Sequence, residues 1–212
     1  MTVIEPHLVV LGAGTKWPDK GVESLSRGFV QTFCTDGDDI NTDVQSSAML
    51  NILSDNLKGT ARVSMGKVMT DTRSGSAQAF ARGLVWAAEL YPEIVVIPMG
   101  LLKPNSSVKA ALEILANTDC RIYAAVGNAA PEQTDSLYPA AYPECIAVGS
   151  MSQSQVYQNW PIKPDLLIDE SVVAQVKRMK NVQLGTAAAT MIAVAEFLNH
   201  EYFNGQAHYN HY

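Results

Sequence analysis

Short apolar runs of strand length alternate with longer helical stretches along most of this chain, and that alternation limits the folds open to it. His7–Leu11 reads as a strand running into Gly12-Ala13-Gly14. Val44–Leu57 carries apolar residues at Val44, Ala48, Met49 and Ile52, a helical spacing. Ala61–Met69 is strand-like, and Ser76–Leu90 is helical with few breakers. Ile94–Ile97 is a continuous apolar run suited to a strand buried on both faces, and Ser107–Ala116 returns to helix. Ile122–Val126, Ile146–Val148 and the weaker Asp165–Ile168 supply further strands. Thr186–His200 is apolar around most of its circumference, the mark of a buried helix. Strand–helix alternation predicts an α/β domain with a mainly parallel sheet covered on both faces.

Composition narrows the function. The 212 residues allow one sizeable core, and the 47% hydrophobic and 17% charged content fits a globular domain. A net charge of −6 with no basic block argues against a nucleic-acid binder. No apolar run reaches membrane-spanning length, and Met1–Leu11 has no basic n-region, so no membrane partner or signal peptide is expected. Three widely spaced cysteines, Cys34, Cys120 and Cys145, suit reduced thiols and a cytoplasmic location. Cys120 and Cys145 fall in or beside core strands and read as buried structural residues. Cys34 sits in a more polar segment and is expected to be more exposed.

Four segments in order add a resemblance. Ala124-Ala125-Val126-Gly127-Asn128, Tyr138-Pro139-Ala140-Ala141-Tyr142-Pro143 with Ile146-Ala147-Val148-Gly149, Ile162-Lys163-Pro164-Asp165, and Gly185-Thr186-Ala187-Ala188-Ala189-Thr190-Met191 resemble successive motifs of the subtilisin-like serine proteases. The resemblance implies their three-layer α/β fold, over residues 1–200 with trimmed loops, followed by a polar tail, Glu201–Tyr212. It extends more loosely upstream. Val9-Val10-Leu11-Gly12 is similar to the strand that carries the family's catalytic aspartate, which falls on Gly12. Asn41-Thr42-Asp43 stands where the histidine motif opens a helix, so the histidine falls on Asp43. The nucleophilic serine falls on Ala187.

That pattern implies a protease scaffold without its chemistry. In a triad, serine attacks, histidine moves the proton and aspartate orients the imidazole. Gly12, Asp43 and Ala187 do none of this, so no catalytic residue, metal or other cofactor is expected. The first strand begins close to the start of the sequence, so folding without a propeptide is a further expectation. By the same resemblance, Pro98, Met99 and Gly100 lie where substrate pairs in extended form, and Asn128 and the Ala187 amide form an anion- or carbonyl-binding corner. Each has a plainer reading: Pro98 as a strand terminator, Asn128 as the cap of an inherited turn. The acidic cluster Asp36, Asp38, Asp39 and Asp43 reads as a solvated loop, and His208 and His211 as part of a frayed tail. Three functions follow. The favoured one is a module binding a peptide or protein partner, including another subunit. The others are a non-hydrolytic enzyme acting on a peptide carbonyl with Asp43 as base, and a structural assembly component.

Overall fold

A computed structural model describes residues 5–14, 17, 20–34, 44–70, 75–128, 137–151, 162–169 and 185–203. Asp36–Asp39, Asp43 and the tail from 204 onward lie outside the described residues.

Seven strands form one sheet: β1 (His7–Gly12), β2 (Leu25–Thr32), β3 (Ala61–Lys67), β4 (Ile94–Ile97), β5 (Arg121–Ala125), β6 (Ile146–Met151) and β7 (Leu166–Asp169). Their order is β2-β3-β1-β4-β5-β6-β7, and every neighbouring pair is parallel. The helices are α1 (Val44–Asn56), α2 (Ala77–Glu89), α3 (Ser106–Ala116) and α4 (Thr186–Leu198), the last running into a π-turn at Asn199–Phe203.

Alternation along the strands sends side chains to two cores. Leu8, Val63, Met65, Ile94, Val96 and Val148 meet α1 and α4 on one face. Val9, Leu11, Val95, Ile97, Ile122 and Ala124 meet α2 and α3 on the other. Parallel strands covered on both faces must be apolar throughout, and β4 is buried along its whole length. α4 has ten buried residues in 13. Fully burying a side chain such as Ile192 or Leu198 contributes ~1.5–3 kcal/mol. The expected three-layer arrangement is therefore present.

β2 is the one strand the periodicity does not predict. It is an edge strand with an alternating, half-exposed pattern and a register shift between Arg27 and Val30. Gly28 lies against β3: a Cβ there would come within 2.4 Å of Ser64 Oγ. Its signal is the run Phe29-Val30-Gln31-Thr32-Phe33, rich in β-branched and aromatic residues but cut off from the first half of the strand by that glycine. The helix boundaries follow capping. Ser76 accepts from the Ala79 amide, and Asn105 from the amides of Ser107 and Val108. No described helix is long and apolar enough to cross a membrane.

Candidate functional site: a cleft at the carboxyl ends of the strands

After β1 the chain runs to β2 and β3 on one side; from β4 onward it builds the other. In a sheet wound both ways, the crevice at such a reversal is where ligands bind, outside the carboxyl ends of the strands. A cleft of about 180 Å³ opens there. Gly12 ends β1 and Ala13 follows it, Met69 follows β3, Pro98 and Met99 follow β4, and Gly127 and Asn128 follow β5; α4 contributes Thr186 and Ala187. Five sequence-derived positions therefore converge: Gly12, Pro98, Met99, Asn128 and Ala187. Asp43 lies outside the described residues, immediately before α1, whose Ser46 and Met49 reach the cleft.

Gly12 opens space. A Cβ built on it meets nothing within 4 Å. Ala187, one residue into α4, presents a methyl group at the same cleft, and neither residue carries a group that transfers a proton or attacks a carbonyl.

Asn128 acts as a cap, as the plainer sequence reading has it. Its Oδ1 accepts from the Thr186 amide at 3.0 Å and from Thr186 Oγ1 at 3.2 Å. The asparagine thus caps α4 from another strand, since Gly185 in the N-cap position has no side chain to do so. Thr186 Oγ1 in turn accepts from the Gly127 amide at 3.2 Å, tying the end of β5 to the start of α4. Asn128 is exposed, and its Nδ2 makes no hydrogen bond among the described residues. The Ala187 amide belongs to the first turn of α4, where no intrahelical acceptor exists. The corner therefore offers two donors beside the positive end of a helix dipole, a setting that suits an anion or a polarised carbonyl.

Gly185 makes this corner possible. Its φ of 136° is a conformation that L side chains rarely adopt, and a Cβ would sit 2.4 Å from Asn128 Oδ1. It is glycine for both reasons.

Gly100 is placed differently from the other five. The next residue, Leu101, exchanges backbone hydrogen bonds with Tyr138, at 2.7 and 2.8 Å. A Cβ on Gly100 would lie 2.8 Å from Leu137 Cβ and 2.9 Å from Tyr138 O. That gives Gly100 an intramolecular reason to lack a side chain, and a valine there costs stability. Leu137 also crowds Gly127, whose Cβ would fall 2.7 Å from its Cδ1. Its side chain is wedged between the two glycines and narrows the cleft. Sequence reasoning missed Leu137, Thr186, Met49 and Met69; the apolar lining that Leu137, Met49 and Met69 supply gives no signal apart from core residues until the fold is known, and the hydroxyl of Thr186 gains its role only from the neighbours the fold brings to it.

The cysteines lie away from the corner, and no disulfide joins them. Cys145 is buried, and burial pushes its thiol well above the ordinary range. Cys120 is half-buried, its thiol also raised by burial, and its Sγ donates to Leu115 O at 3.6 Å. Cys34 is half-buried beside Lys67 O rather than open to solvent. Thiols raised in this way are poor nucleophiles.

No family model matches the sequence. An 88-residue stretch, 42% of this chain, is 32% identical to thermitase of Thermoactinomyces vulgaris and spans 31% of that enzyme. Among solved structures, the crystal structure of a cold-adapted subtilisin-like serine proteinase superposes with a TM-score of 0.69 at 16% identity, covering 92% of this chain and 76% of that one. The sequence resemblance and the fold agree: the three-layer domain is subtilisin-like.

Proposed function

We propose that this subtilisin-like chain does not hydrolyse peptides and instead binds an extended peptide or protein segment in its cleft. The observation that carries the reading is Ala187. It stands in the first turn of α4 and lines a cleft that also holds Gly12, so neither position carries an attacking group while the helix end remains. Nδ2 of Asn128 and the Ala187 amide donate to a backbone carbonyl, and Met49, Met69, Met99 and Leu137 accept an apolar side chain. Thioethers suit such a surface because they repack around varied shapes.

The test pairs a chemical probe with a binding measurement. Purified protein should cleave no peptide substrate and should take no label from a serine-directed fluorophosphonate. A peptide selected from a random display library should bind, and Asn128→Ala should weaken it about tenfold, the scale of losing one ligand hydrogen bond without leaving a buried charge. Turnover with stoichiometric serine labelling would overturn the reading. A covalently altered peptide, lost on Asp43→Asn, would make the chain an enzyme of another kind. Ala187→Ser should stay inert because no imidazole lines the cleft among the described residues.

A further inference from the structure

The opposite face of the sheet carries a second surface, independent of the cleft. There Arg82, Val85, Trp86 and Glu89 of α2 fall at the i, i+3, i+4, i+7 spacing that makes one stripe, Arg82 and Glu89 exposed and Val85 and Trp86 half-buried against the core. The stripe borders a shallow depression of about 600 Å³ that continues onto α3, where Ile114 is 52% exposed. Its middle is apolar and its two ends carry opposite charges. Trp86 leans on Phe33, with ring centroids 5.7 Å apart, and the Arg82 guanidinium lies over that same ring at 5.7 Å. Neither Arg82 nor Glu89 forms an ion pair among the described residues. A partly uncovered tryptophan and an exposed isoleucine in one depression are the kind of apolar patch that marks an interface.

The charge order selects the occupant. We propose that this face pairs with a second copy of the same chain, α2 packing antiparallel on α2 about a two-fold axis that passes between Val85 and Trp86. In that arrangement Arg82 meets the partner's Glu89, Glu89 meets the partner's Arg82, and Val85 covers the partner's Trp86. A stripe with one charge at each end and apolar residues between is complementary to itself under a two-fold rotation, as an isologous contact demands. Small residues beside the stripe, Ala81 and Ala110, let the helices approach closely.

Sedimentation of the full chain from about 1 to about 300 μM tests this over the range of moderate affinities. A monomer–dimer equilibrium should appear. Arg82→Glu alone should raise the dissociation constant at least ~tenfold, because it sets like charges against each other twice. Adding Glu89→Arg should restore the wild-type value to within about threefold, since the double exchange recreates both pairs. Arg82→Glu also gives up the contact over Phe33, so the urea midpoint should fall by no more than that contact contributes, and a cooperative transition at that midpoint excludes loss of fold directly. A chain monomeric throughout overturns the proposal. So does a dimer indifferent to Arg82→Glu, or a double variant no better than the single one. Binding of an unrelated helix by a monomeric chain would do the same.

Discussion

Two asparagines at opposite ends of the sheet divide the molecule into a part that is finished and a part that is not. Asn199, at the amino-end rim, uses its whole amide: Oδ1 accepts from the Lys58 amide at 2.7 Å, and Nδ2 donates to Asn56 O at 2.8 Å. Around it His7 donates its amide to Glu93, and its Nε2 meets Ser64 Oγ, which also accepts from the Phe29 amide. These polar atoms bond backbone and side-chain groups of the same chain. Asn128, at the carboxyl-end rim, spends Oδ1 on α4 and leaves Nδ2 at the mouth of a cleft. The same side chain is a fastener in one place and half a fastener in the other. A polar group with unused capacity beside a cavity separates a binding corner from a structural one.

The largest effect that tests this contrast is Gly185→Ala. It combines a backbone conformation reserved for glycine with a clash on Asn128 Oδ1, and should cost ~3 kcal/mol in urea unfolding. A cost under about 0.5 kcal/mol, the scatter of ordinary surface changes, would mean that the corner is pliable.

Asn199→Ala should come next, at ~2 kcal/mol, because it strips a partner from both Lys58 N and Asn56 O. Ligand affinity in the cleft should not change.

Asn128→Ala removes one cap, ~1 kcal/mol, yet should weaken peptide binding. Asn128→Asp sharpens the point. The carboxylate keeps the capping oxygen, and its charge favours the helix N-terminus, so stability holds or rises by a few tenths of a kcal/mol. Binding should still fall, because the Nδ2 donor is gone. If the aspartate variant binds as well as wild type, Nδ2 is not a ligand donor and the contrast between the two asparagines collapses.

The smallest effect is a pH dependence at the finished rim. Burial holds the His7 imidazole below its ordinary value of 6.5; nearby Arg62 adds to this, and Glu93 opposes it. The unfolded chain therefore binds the proton more readily than the folded one. The stability this contributes is present above pH 6.5 and is lost as the pH falls from there through the folded value. Urea midpoints should drop between about pH 7 and pH 5, and His7→Gln should flatten that slope. An unchanged slope would show that the imidazole is not the titrating group.

Much of this architecture was legible because buried parallel strands leave unbroken apolar runs, as at Ile94–Ile97. Helix ends were legible to within a residue or two where Ser76 and Asn105 carry capping side chains. β2 was not legible, since an edge strand needs one covered side and Gly28 interrupts its pattern. For the cleft, ordered motifs located Gly12, Pro98, Met99, Asn128 and Ala187, because residues after successive parallel strands gather at one end of the sheet. The split use of Asn128 was hidden. It depends on Gly185 lacking a side chain, a relation between residues 57 positions apart that no local pattern encodes. Leu137 was hidden for a similar reason, being defined by the two glycines it touches.

The position of α4 also governs how the molecule is made. It leaves the ribosome after the other described helices, yet it closes the core that α1, β1 and β3 began more than a hundred residues earlier. A nascent chain that stops short of Thr186 leaves Val96, Tyr123 and Val148 uncovered and gives Asn128 nothing to cap. Such long-range closure is slow compared with local helix formation. Completion of the core and assembly of the Asn128–α4 corner are therefore one event, and under the proposed function a partly synthesised chain has no corner in which to hold a peptide.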